Sequence, residues 1–210
     1  MKLIDIQQNY IEIFSLSNQY FTSRKLYIYQ LEPYADVIDW IISFSLTDVV
    51  RLLQNLFMNF MEKEAMICEG YNPEVKGLLL VKGSIYNIIS VHDFLSVENT
   101  SENLITYLEF KTKIDRRVKR FLNKLKTYNN ILFIQIGATI KEVELVEKVL
   151  SELIEGQFKV LLLNLISEYK IVEYGWKLDY ICSVGISINR NKNHDIWNQL
   201  LKGLTQSDIQ

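Results

Sequence analysis

Histidine and cysteine are scarce in this chain, with two of each among 210 residues. Cys68 and Cys182 stand far apart and neither belongs to a CxxC pair, so they form neither a disulfide framework nor a zinc knuckle. They read as reduced structural thiols of a cytoplasmic protein. His194 with Asp195 could begin a metal site, but no further ligand follows three or four residues on. Residues 189–194 are polar and read as a solvated loop. No metal and no other cofactor is expected. His92 precedes Asp93 and Phe94 at the end of an apolar run. The densest charge lies at residues 111–126, where eight cations face Asp115 alone, a local balance of +7. One reading is the solvated face of a helix that pairs with the acidic segment 142–155. The sharper one is a docking site for an anion or an acidic protein, with Arg116, Arg117 and Arg120 as its contacts. Aromatic residues do not interleave with these charges, so no base-stacking platform is suggested. The whole chain carries 23 basic and 25 acidic residues, a net charge of −2, and creates no global field for nucleic acid.

The elements that must position these groups follow from hydrophobic spacing. Residues 10–16 (YIEIFSL) read as a first strand, followed by the polar turn Ser17-Asn18-Gln19. Thr47 and Asp48 open a helix with Val49, Leu53, Leu56 and Phe60 on one face. Residues 78–81 and 85–91 flank Lys82-Gly83-Ser84 as a hairpin. Residues 69–76 and 98–103 read as surface loops. A helix over 101–126 buries Ile114, Val118, Phe121, Leu122 and Leu125. Residues 131–136 (ILFIQI) and 158–165 (FKVLLLNL) are buried strands on either side of a helix that Thr139 and Glu142 open as a capping box. This is a βαβ unit, which requires parallel pairing. Residues 179–188 read as a last strand and 195–201 as a last helix. The expectation is one α/β domain over 1–205 with a mixed central sheet flanked by helices, and a frayed tail at 206–210. No stretch approaches the ~20 apolar residues of a membrane span.

The βαβ turn, Gly137-Ala138-Thr139, holds a single glycine. A pyrophosphate loop needs several, and a P-loop also needs a Lys-Ser/Thr pair, so neither dinucleotide nor nucleoside triphosphate is expected there.

Four blocks in order along residues 10–165 carry a resemblance. They are a strand running into Leu16-Ser17-Asn18-Gln19-Tyr20, then Val37-Ile38-Asp39-Trp40-Ile41-Ile42 with the LLQNLFMNF helix, then His92-Asp93-Phe94, and last the basic helix with its apolar strand. Together they resemble a family of papain-like cysteine peptidases. The resemblance implies a Cys nucleophile at the strand-to-helix turn, where the helix dipole favours a thiolate, and the His of His-Asp-Phe as its general base. It also implies an α+β arrangement with a mainly antiparallel sheet, in tension with the parallel unit.

By that resemblance His92 holds the base position and Tyr20 the nucleophile position. Tyr20 cannot act as a thiolate. Ser17 replaces the family's glycine and Val37-Ile38 its Pro-Phe pair. Ser17, Asn18, Gln19, Asp39, Trp40 and Asp93 remain as cleft or structural residues. The expectation is a degenerate family member that binds a partner or ligand without catalysis. The alternatives are a hydrolase or acyltransferase with a replacement nucleophile beside His92, and an unrelated α/β binding protein.

Overall fold

The computed structural model describes residues 1–16, 26–29, 31, 36–38, 41–43, 45–187 and 194–207. Along the chain the strands are β1 (Asn9–Tyr10), β2 (Glu12–Ser15), β3 (Ile41–Ser43), β4 (Met66–Tyr71), β5 (Leu78–Gly83), β6 (Ile88–Leu95), β7 (Asn130–Ile136), β8 (Gln157–Ile166), β9 (Val172–Tyr174), β10 (Ile181–Ser187) and β11 (Thr205–Gln206). The helices are α1 (Leu46–Gln54), α2 (Tyr107–Thr127), α3 (Ile140–Leu153) and α4 (His194–Leu201). Two compact units emerge, one of Met1–Ser17, Phe21–Tyr34 and Leu125–Gln210, the other of Asn18–Tyr20 and Ala35–Lys124.

The first unit is built on a five-stranded sheet in the order β2-β7-β8-β10-β9. The first four strands are parallel and β9 is antiparallel to β10. The expected βαβ unit is β7-α3-β8. Its turn is fixed by the capping box, in which Thr139 and Glu142 satisfy each other's backbone N–H groups. Val143, Val146, Val149 and Leu150 make the buried stripe of α3. One sheet face, with Leu132, Ile134, Leu161, Leu163, Val184 and Ile186, packs against Trp197, Leu200 and Leu201 of α4 and the N-terminal Leu3 and Ile6. The buried residues of α3 are outside that cluster. Near-continuous apolar strands are what a sheet covered on both faces demands.

The second unit carries a four-stranded antiparallel sheet, β3-β6-β5-β4. The tension between parallel and antiparallel expectations is therefore resolved by two sheets, a mainly parallel one in the first unit and an antiparallel one in the second. The expected hairpin is β5-β6, but its turn is residues 84–87: Lys82 and Gly83 belong to β5, and residues 85–87, expected as strand, belong to the turn. Residues 69–71, expected as loop, instead finish β4, whose alternating burial marks a half-covered edge strand. The sequence there, Glu-Gly-Tyr, is polar because its outer face meets solvent.

Ser45 caps α1 by accepting from the Thr47 N–H at 3.2 Å. The helix ends in a Schellman motif, with Leu56 N–H on Leu53 O at 2.9 Å and Phe57 N–H on Leu52 O at 3.0 Å. The motif needs a left-handed residue, and Leu56 (φ 50°) and Phe57 (φ 61°) both take that conformation. The expected helix through Phe60 stops here. Phe57 and Phe60 are buried nonetheless, in an aromatic cluster that includes Phe121 of α2, 5.7 Å from Phe57. α2 starts at Tyr107, later than the expected residue 101, and buries Phe110, Ile114 and Phe121 in this unit.

Candidate functional site

His92 lies inside β6, three residues before its end, rather than at the terminus of a strand. The register explains its presentation. Leu79 pairs with Phe94 and Val81 with Ser90, so Val91, His92 and Asp93 together oppose Leu80 alone. Such a bulge bends the strand and re-aims its side chains. Asn72 supports it by donating from Nδ2 to the Val91 carbonyl at 3.1 Å. Its Oδ1 meanwhile accepts from the N–H groups of Glu74 and Val75 at 2.9 and 3.1 Å.

Asp93 turns inward from the bulge, and its side chain is 6% exposed. Both carboxylate oxygens are engaged: Ser90 Oγ donates to Oδ2 and Lys113 Nζ of α2 to Oδ1. A buried carboxylate needs this pairing, since desolvating it alone is costly. His92 is half-buried. Burial pushes its pKa below the ordinary histidine value, and the opposing pull of the Asp93 charge is smaller. At neutral pH the imidazole is therefore uncharged and able to accept a proton or a hydrogen bond.

Ser17, Asn18, Gln19 and Tyr20 lie outside the described residues, as do Asp39 and Trp40. Val37 and Ile38, at the family's Pro-Phe position, are buried at 0% and 3% exposure.

Lys111, Lys113, Arg120 and Lys124 of α2 pair with carboxylates of the second unit, and among the described residues no ion pair joins this helix to the expected acidic segment 142–155. Lys111 pairs with Glu62 at 3.1 Å and Asp115 at 2.6 Å. These partners hold the Lys111 pKa above its ordinary value against the larger opposing effect of burial taken singly. Asp36 is 2% exposed and receives Lys124 at 3.3 Å and, more distantly, Arg120 at 3.8 Å. Of the three arginines expected at a docking surface, Arg120 is therefore partly committed. Arg116 and Arg117 have no ion-pair partner among the described residues.

Comparison with known proteins decides the family. The chain matches the family described as "Putative papain-like cysteine peptidase (DUF1796)" over residues 12–167, about three quarters of its length. It belongs to the papain-like cysteine peptidase family. No curated protein and no solved structure matches it.

A member of the papain-like cysteine peptidase family is expected to keep its thiol at a helix N-terminus. Both cysteines of this chain lie inside strands. Cys68 sits in β4, paired with Val81, and Cys182 sits in β10, paired with Leu161. Cys182 is 0% exposed, and burial, with Glu173 nearby, pushes its thiol up to about 12. It is protonated at neutral pH and inert. Among the described residues no hydrogen bond joins either thiol to His92. His194 is not in a loop: it opens α4, with Tyr29 Oη 3.0 Å from Nδ1. Among the described residues no cluster of ligands could hold a metal, and no helix is long and apolar enough to cross a membrane.

Sequence reasoning missed Ser90, Asn72 and Asp36 and gave Lys113 only a place in a charge count. The signal for Ser90 was present: a lone hydroxyl in the middle of the IIS-V run of β6. Nothing in sequence marked Asp36 over Asp39.

Proposed function

We propose that this papain-like cysteine peptidase family member acts by binding and not by thiol catalysis, with Tyr20 at the nucleophile position and His92 retained as a neutral hydrogen-bonding group. The observation that carries the reading is that both cysteines lie in strand interiors, remote in kind from a strand-to-helix turn whose dipole would stabilise a thiolate. Two further features support it. The His92 pKa is pulled down, whereas a neighbouring thiolate would push it up. Asp93 is engaged at both oxygens, so it acts on His92 through its charge. The partner in this reading is acidic, meeting the exposed Arg116 and the half-buried Arg117 of α2.

The test is exposure of the purified chain to a peptidyl vinyl sulfone and, separately, to a p-nitrophenyl ester, followed by intact mass and peptide mapping. The expected result is no adduct forming faster than on free cysteine and no ester turnover above that of the His92→Ala variant. Rapid labelling of Cys68 would restore a cysteine enzyme. An acyl adduct on a serine or tyrosine that needs His92 would establish the replacement-nucleophile hydrolase instead.

A further inference from the structure

The parallel sheet of the first unit changes character along one face. The register aligns Phe14, Phe133, Val160 and Ile181 in one row. Phe14 and Phe133 stack there at 5.5 Å. The next row on that face, toward the carboxyl ends of the strands, is Gln135, Leu162 and Ser183. Gln135 is 3% exposed and Ser183 is 1% exposed. Beyond them come Asn164 and Gly185, with Gly137 continuing β7. Asn164 Nδ2 donates to Ser183 Oγ at 3.0 Å.

The orientation of the Gln135 amide is fixed by its surroundings. Nε2 lies 2.8 Å from the Ile136 carbonyl and 3.3 Å from that of Gly137. Two carbonyls require a donor, so the nitrogen faces them and Oε1 points the other way. That oxygen is buried and has no hydrogen-bond partner. Buried acceptors are rarely left so, and the apolar neighbours of Gln135 show that the face tolerates a side chain without one.

Space and charge narrow the occupant. A side chain at Gly137 would meet no heavy atom within 4 Å, and its φ of 65° favours glycine. The following helix N-terminus is already answered by Glu142, whose Oε2 accepts from Thr139 N–H at 2.9 Å. A fixed carboxylate there disfavours an anion. In open α/β sheets, ligands sit outside the carboxyl ends of the parallel strands.

We infer that the carboxyl ends of β7, β8 and β10 form a binding site for a small neutral carboxamide, which donates an N–H to Gln135 Oε1 while its carbonyl accepts from Asn164 Nδ2. All the residues belong to the first unit, so the inference stands independently of the role of His92.

The experiment is a titration of the uniformly ¹⁵N-labelled full chain with N-acetylglycinamide, with sodium acetate and inorganic phosphate as parallel arms. The carboxamide alone should give saturable shifts at the Gly137 N–H and the Gln135 side-chain NH₂. Gln135→Met, which removes the unpaired oxygen together with the donor to the Ile136 and Gly137 carbonyls, should abolish the Gly137 shift. Asn164→Ala, at a half-buried position, should weaken binding about tenfold and serves if Gln135→Met does not fold. Absence of a saturable shift in wild type overturns the site. So does a shift that survives both variants, or an equal response to acetate or phosphate.

Discussion

Lys113 and Asp93 form an ion pair that ties the long helix α2 to the bulge of β6, with the carboxylate nearly buried and the ammonium 37% exposed. The pair fixes the backbone next to His92. Removing one partner strands the other, and for buried pairs that costs roughly 3–5 kcal/mol. Partial exposure of Lys113 lowers this, and Lys113→Met should destabilise by about 2 kcal/mol in urea unfolding. The double variant Lys113→Met with Asp93→Asn should recover about half. Additive losses would show that the pair contributes no coupling.

Acid sensitivity should trace in part to His92. Its pKa is lowered in the folded state, so between the folded and unfolded values the unfolded chain binds more protons. The contribution to stability is thus fully present above the ordinary histidine pKa and falls as pH drops through that value toward the folded one. Thermal melts of wild type and His92→Gln over pH 5–8 check the sign. The variant should lose part of the slope of melting temperature against pH at the acid end. A steeper slope in the variant would contradict the burial of the neutral ring.

The thiols should separate cleanly by exposure. Cys68 is half-buried on an edge strand and Cys182 is fully buried with its pKa near 12. Iodoacetamide on the native chain should modify Cys68 only, no faster than free cysteine, and Cys182 only after denaturation. Modification of Cys182 in the native state would mean that β10 opens locally.

Two adjacent left-handed residues should respond in opposite ways to glycine. Leu56 is 49% exposed and Phe57 is 5% exposed. Leu56→Gly removes a conformational cost of roughly 1 kcal/mol at the C′ position and should stabilise by about that much. Phe57→Gly relieves the same backbone but empties an aromatic core site, so it should destabilise by about 3 kcal/mol or more. Denaturant midpoints of the two variants decide it.

Charge reversal at Arg116 and Arg117 should leave stability within about 0.5 kcal/mol of wild type, since neither has an ion-pair partner among the described residues. Adding Arg120→Glu brings a carboxylate near buried Asp36 and should cost more. Retention on a polyglutamate resin should fall with the first two reversals alone and with salt. If both proteins elute alike, the acidic-partner reading fails.

The legible parts of this chain were those with one dominant local cause. Thr139 and Glu142 announced α3 through a capping box, and the two apolar runs beside it announced parallel strands. Ser45 went unnoticed as a cap because Thr47 and Asp48 are equally good ones. The end of α1 was missed because Val49, Leu53, Leu56 and Phe60 keep helical spacing beyond the last helical residue. Burial of Phe57 and Phe60 there is a tertiary effect that outweighs the backbone preference. At the site, His92 was found through its neighbours in sequence. The bulge that presents it was not, because register is set by the partner strand and leaves no local mark. Lys113 carries the same chemistry as the other cations of its helix, and only three-dimensional proximity to Asp93 sets it apart.

The order of pairing along the chain also bears on how the molecule comes into being. β2 pairs with β7, so Glu12 meets Ile131, and β1 pairs with β11, so Asn9 meets Thr205. The second unit lies between these partners, and three of its four strands, β4, β5 and β6, pair with their neighbours in sequence, while β3 pairs with the more distant β6. During synthesis the β4-β5-β6 meander can close while the first strand still waits. A folded insert brings its two ends nearer than a free coil would, which lowers the loop-closure entropy of the β2-β7 pairing. Until residues 130–136 emerge, β2 has no strand to pair with. This makes the first strand, rather than the late helices, the segment most in need of protection on the ribosome.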